Sequence, residues 1–148
     1  MQPLFMGYDG LVRGYSYGSF ESSDCSTPDC PEFFNLFGTK MLVGNLELRF
    51  PPLGLLRAGG PFGFLPLDLF VFGDAGLAWG CTPSVSPAAC GRAADKPFFL
   101  DGDRKPIYSA GGGFRFNFFG FVIVEMDVVH PFNRGRGTYV QWAFTPGF

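Results

Sequence analysis

Charge is scarce in this chain of 148 residues: Asp, Glu, Lys and Arg together make up 16%, where roughly 25% is usual for a soluble domain. The formal net charge is −2, with a single histidine. No basic stripe is present to displace counterions from phosphates, which argues against nucleic acid as a partner. There is no run of about 18 apolar residues, so a transmembrane helix is excluded. A membrane β-strand is not, because it needs only about 9–11 residues of alternating character. The opening residues Met1-Gln2-Pro3-Leu4-Phe5 lack the charged and apolar regions of a secretory signal, so an exported protein would carry its signal upstream. Nothing in the length demands more than one domain.

What is abundant is aromatic and small: 20 Phe and 22 Gly. A compact core of this size would struggle to hold so many rings, so some are expected to face lipid or a partner. The four cysteines fall as two local pairs, Cys25/Cys30 and Cys81/Cys90, each among residues that read as loop. A zinc site would need all four to converge, because no histidine accompanies either pair. Two loop disulfides in an oxidising compartment is the preferred reading.

Five segments alternate with a period of two, the signature of strands with one buried or lipid-facing side. In the first, from about Met41 to Phe50, Leu42, Gly44, Leu46, Leu48 and Phe50 oppose Val43, Asn45, Glu47 and Arg49. In the second, Leu67 to Trp79, the outer set from Leu67 through Val71 and Leu77 to Trp79 opposes Asp68, Phe70, Phe72, Asp74, Gly76 and Ala78. The third spans Ile107 to Phe118, the fourth Phe121 to His130 and the fifth Thr138 to Phe148. No sustained helical period exists, and the chain is expected to be all-β.

The connections alternate in length. Asn117-Phe118-Phe119-Gly120 is a tight turn and Pro51 to Pro61 a moderate one, while Gly7–Gly38, Gly80–Pro106 and Pro131–Gly137, the first two of them long, lie at the other end of the strands. Short turns on one side and long loops on the other is the arrangement of outer-membrane barrels, with the long loops outside the cell. A soluble β-sandwich explains the alternation equally well. It explains less well the sparse charge and the crowd of aromatics near the last residues.

Leu11-Val12-Arg13-Gly14-Tyr15 interrupts the first long loop. Glu47 and Asp74 lie on the polar faces of the first two strands, the latter within Phe72-Gly73-Asp74-Ala75-Gly76. An arginine folded inward could bridge both carboxylates through its planar fork of donors. Together with the terminal phenylalanine, these motifs resemble the BamA/TamA family of outer-membrane assembly proteins, the bacterial surface antigen family. The resemblance runs through nearly the whole chain in order, including Gly44-Asn45-Leu46-Glu47-Leu48-Arg49-Phe50 and Ser109-Ala110-Gly111-Gly112-Gly113.

The resemblance implies that Val12, Arg13, Gly14 and Tyr15 form a motif entering the barrel lumen. Asp74 would be the first partner of Arg13 and Glu47 the second, with Phe72, Asp74 and Gly76 as the matching strand motif. The family barrel has sixteen strands, so this chain would supply the last five, with residues 1–40 as the lumen-entering loop and 41–148 as the strands. Five strands cannot close a membrane barrel, which takes about eight, so a fragment of a longer chain is expected over an assembly of several copies. Val140, Trp142, Phe144 and Phe148 fit the family's C-terminal barrel signal. Pro146 interrupts it and lacks a strand donor, so the last two or three residues are expected to leave the ladder.

The implied function is non-enzymatic: a barrel with a weak lateral seam that aids insertion or passage of other proteins. The alternative is a passive anchor fused to an upstream enzymatic or propeller domain. Partners would be outer-membrane lipid, unfolded outer-membrane or secreted proteins, and assembly lipoproteins. No cofactor or metal is expected. Gly111-Gly112-Gly113 precedes no helix and is not a phosphate loop. Asp101-Gly102-Asp103 lacks the remaining ligands of a calcium site. Glu125 and Asp127 are expected to line the lumen, and Tyr8, Tyr15 and Tyr17 to pack loops or form an outer surface.

Overall fold

The computed structural model describes residues 3–8, 10–28, 30–50, 67–81, 96–118 and 121–146. Its main body is a five-stranded antiparallel sheet formed by β3 (Lys40–Phe50), β4 (Leu67–Trp79), β5 (Ile107–Phe118), β6 (Val122–Pro131) and β7 (Tyr139–Pro146), paired in sequence order. A two-stranded pair, β1 (Leu4–Phe5) and β2 (Phe37–Gly38), precedes it. The sheet is open, as a part of a barrel wall would be. The ladder of β7 runs to Pro146, which pairs with Val122; Gly147 and Phe148 lie outside the described residues. Among the described residues no helix is long and apolar enough to cross a membrane, which leaves strands free to do so.

Alternation along each strand sorts the side chains onto two faces. Leu42, Leu46, Leu48 and Phe50 of β3, Leu69 and Val71 of β4, and Val140, Trp142 and Phe144 of β7 are all exposed. The register aligns them in rows, for example Phe50, Leu69, Phe114, Met126 and Trp142. This side is a continuous apolar surface, far larger than a soluble monomer tolerates. A β-sandwich would have covered it with a second sheet, and none is present among the described residues.

The core lies on the other face, and much of it comes from outside the sheet. Met6, Val12, Tyr15 and Leu36 are fully buried against Ala78 and Ile107, with Phe5, Phe20, Phe33 and Phe37 packed around them. The stretch read from sequence as one long loop thus contains β1, β2, two 3-10 turns and a short helix, α1 (Pro31–Phe34). Its order has a hydrophobic origin. Its rings gain burial only by stacking together over the inner wall.

One expectation changes. Leu77 belongs to the outer set of β4 yet is 4% exposed, because the turn at Phe98–Leu100 lies over that part of the wall. The tyrosines pack loops as expected: Tyr8 and Tyr17 meet Phe5 edge-on and the buried Tyr15 lies against Phe20.

Candidate functional site

The register places Asn45 opposite Asp74 and Glu47 opposite Phe72, so the two carboxylates are diagonal neighbours on the inner face. Side chains so placed are too far apart to meet directly, but a guanidinium can span them. Arg13 does so. Its Nε donates to Asp74 Oδ2 at 2.9 Å, its second Nη reaches Asp74 Oδ1 at 3.2 Å, and the other donates to Glu47 at 3.0 Å. The Arg13 backbone N–H donates to the same Asp74 carboxylate at 3.1 Å, and the Asn45 amide donates to it at 2.9 Å. Asp74 is fully buried, with four donors converging on two oxygens. Arg49 completes the far side by donating to Glu47 at 2.6 Å.

Each residue of the loop motif meets its own counterpart on the wall. The Arg13 guanidinium lies 3.6 Å from the centre of the Phe72 ring, a cation–π contact in a largely desolvated place. Phe72 can lie flat because Gly111 stands opposite it. Val12 and Met6 sit where a side chain on Gly76 would be. Gly14 has φ +90, and a Cβ there would lie 2.8 Å from Val129, so both backbone and packing select glycine. The Tyr15 hydroxyl donates to the Tyr108 carbonyl at 2.9 Å and accepts from the Asn133 N–H at 3.1 Å. Phe72, Asp74 and Gly76 therefore receive Arg13 and Val12 on one strand face, two residues apart.

Burial works to lower the Arg13 pKa, but Asp74 and Glu47 outweigh it and hold it above its ordinary value. Its charge is permanent. Burial pushes the Tyr15 phenol up to about 12, against the opposing pull of the Asn133 N–H. It remains a neutral donor. The site is thus a fixed electrostatic clasp. Substituting Gly76 by Val should force Val12 and Met6 off the wall, at about 1–3 kcal/mol for overpacking. Protease cleavage within residues 6–15 is the measurement, and it should rise in the folded variant.

A second clasp was not singled out from sequence. Arg134, in the connection between β6 and β7, is fully buried and donates to the Gly14 carbonyl, the Ser19 carbonyl and hydroxyl, and Asp24. Its guanidinium lies 4.0 Å from the Phe20 ring. The one available signal was Asn133-Arg134-Gly135-Arg136 in a short connection, which has no periodicity to mark it.

Burial works to raise the Asp24 carboxyl, but the Glu21 N–H and Arg134 outweigh it and hold it below its ordinary value of 3.8. A carboxyl depressed in the folded state adds stability above that ordinary value, and the gain is lost as pH falls through the lowered one. The difference in unfolding temperature between the native chain and Asp24→Asn should therefore be constant at neutral pH and shrink only in acid below 3.8.

The remaining expected residues lie elsewhere. Val140, Trp142 and Phe144 are on the outward face of β7, and Phe148 falls outside the described residues. Cys25 and Cys30 form a disulfide, so they are not thiolate ligands. Cys81 is also disulfide-bonded, and Cys90 lies outside the described residues. Glu125 pairs with Arg115 at 2.7 Å. Asp127 is 2% exposed, so in place of a wetted lumen carboxylate it is a buried one. Among the described residues no cluster of side chains could hold a metal ion.

No curated protein and no solved structure gives a significant match to this chain. A family model does: the Omp85 superfamily domain matches residues 3–148. The match takes in both the wall and the segment clasped to it, and it accounts for an all-β sheet with an apolar outer side and a polar, loop-filled inner one. On that ground this chain belongs to the Omp85 superfamily of outer-membrane assembly and translocation proteins.

Proposed function

We propose that the chain forms the C-terminal barrel wall of an outer-membrane insertase or translocator of the BamA/TamA type, working without covalent chemistry on its clients. The observation that supports this best is the seating of Arg13 on Asp74 and Glu47. A loop fastened across β3, β4 and β5 stiffens that part of the wall and fixes its register. Compliance is left at β7, which is eight residues long against ten to thirteen in the other four strands. Its outer edge has no partner among the described residues. In a closed barrel that edge would meet the first strand, and a weak seam there would offer N–H and C=O groups to an incoming strand. Clients would be unfolded outer-membrane or secreted proteins, and assembly lipoproteins would act as accessory partners.

The test is Arg13→Lys in the native protein in its outer membrane. Lysine keeps the charge but loses the fork, so it cannot hold both carboxylates. With barrel abundance matched, the amount of folded client barrels is read from heat-modifiable gel mobility. The proposal expects clients to fall while the variant itself still folds. Unchanged clients in a folded variant whose loop has become protease-sensitive would instead indicate a passive anchor, with an upstream domain doing the work.

A further inference from the structure

The outer wall is not uniform. Near the end of the sheet that carries the long connections, Gly44 pairs with Ala75, and the two small residues leave a shallow depression between Leu42 and Leu77. The 3-10 turn at Phe98–Leu100 hangs over it, making an apolar groove of about 390 Å³. That volume is in the range of small-molecule clefts, roughly 300–1,000 Å³. The lining is almost entirely apolar, with Phe98 and Phe99 forming one lip and Tyr108 closing the side.

The turn is built, not loose. Phe98 N–H donates to the Arg104 carbonyl at 3.1 Å, and Leu100 and Gly102 N–H both donate to the Pro97 carbonyl. Arg104 is buried and ties the turn to α1 through the Phe34 carbonyl and the Asn35 side chain, each at 3.2 Å. Yet this fixed platform presents three consecutive apolar side chains, Phe98, Phe99 and Leu100, each more than half exposed. Water would oppose that display by the full hydrophobic cost of three large side chains. A hydrocarbon surrounding removes the cost.

Charge at the groove end agrees. Lys40 is the residue before Leu42 on the same outward strand face, and Lys96 and Lys105 flank the turn; all three are exposed, against the exposed carboxylates Asp101 and Asp103. The exposed set therefore carries a net positive charge beside an apolar slot, which suits an anionic head group above a hydrocarbon chain.

We infer that this groove holds one acyl chain of a phosphate-bearing lipid of the outer leaflet, clamped between the wall at Gly44 and Ala75 and the Phe98–Phe99 lip. The inference rests on the outer-membrane reading above. Its consequence is a lipid held longer than the freely exchanging annulus, at a place where a long connection folds down over the wall.

The experiment uses the native protein in outer-membrane vesicles supplied with an anionic phosphatidylglycerol that carries a diazirine midway along one acyl chain. After photolysis the labelled residues are mapped by mass spectrometry. Labelling should concentrate on Phe98, Phe99 and Leu42, with weaker labelling at Leu48 and Trp142 of the open wall. A Cβ on Gly44 meets nothing within 4 Å, so Gly44→Leu should enter the groove without disturbing the sheet. It should lower labelling at Phe99 about tenfold, as expected if two methylenes leave the groove, and leave Trp142 unchanged. Even labelling along the wall, insensitive to Gly44→Leu, would overturn the inference while keeping the chain in the membrane. Cross-links from Phe99 to a second copy would overturn it in favour of a protein interface. Absence of lipid label from the whole outer face would overturn the outer-membrane reading itself.

Discussion

Replacing Asp74 by alanine should detach residues 10–15 from the inner wall and lower stability by about 3–5 kcal/mol, the cost of leaving a desolvated partner charge uncompensated. The lower end is expected, because Arg13 keeps 12% exposure and a second carboxylate in Glu47. Four donors lose their acceptor at once: three from Arg13 and one from Asn45. Glu47→Ala should cost less, since Glu47 is 19% exposed and takes a single bond from Arg13. The measurement is the temperature at which the folded band on a semi-native gel converts to the unfolded one, together with protease sensitivity of residues 6–15. Equal effects of the two substitutions would contradict the asymmetry of the clasp.

The same geometry says why exchanging the two charges, Arg13→Asp with Asp74→Arg, should not restore the native state. Position 74 also faces the Asn45 amide and the residue-13 backbone N–H, both donors. An arginine there has no acceptor to offer them. The informative combination is Arg13→Met with Asp74→Asn, which removes both charges but keeps an amide oxygen for those donors. It should be less damaging than the sum of the single changes.

Arg134→Met should be comparably severe. Arg134 and Asp24 are both fully buried, so removing the cation leaves Asp24 desolvated with only the Glu21 N–H as a described donor. About 3–5 kcal/mol is the scale for breaking such a pair. The loss should fall on the segment from Tyr17 to Asp24 and not on the strands, because Arg134 bonds to Gly14, Ser19 and Asp24 and to nothing in β3, β4 or β5 among its described partners. Hydrogen exchange resolves the two cases: rapid exchange confined to residues 14–24 is expected, and a uniform rise through the sheet would show that Arg134 supports the wall as a whole.

The two clasps differ sharply in how far they could be read beforehand. Strand identity is a local property. A period of two over ten residues is enough to mark Leu67–Trp79 and Ile107–Phe118 at the boundaries the structure has. The other three strands shift by a residue or two at their ends, where pairing with a neighbour decides. Faces follow from the same alternation, so Glu47 and Asp74 could be placed inward without coordinates. A family resemblance then tied them to Arg13, and the structure brings the three together.

Other features depend on register and on distance through space. Phe72 shares a face with Asp68, Asp74 and Gly76; what it packs with is Gly111 opposite it and Arg13 above it, neither of which is visible within β4. Leu77 belongs to the outward set by alternation yet is covered by a turn more than twenty residues later. Arg134 bonds to residues 110 to 120 positions earlier, and no periodicity links such positions. The sequence by itself determined the strands, their two faces and the residue types that could clasp a loop. Only the tertiary structure decided that Arg134 meets Asp24 and where a loop folds back over the wall. Alternation is set by backbone geometry within a few residues, whereas those contacts require strand register and chain return, both fixed by packing over the whole fold.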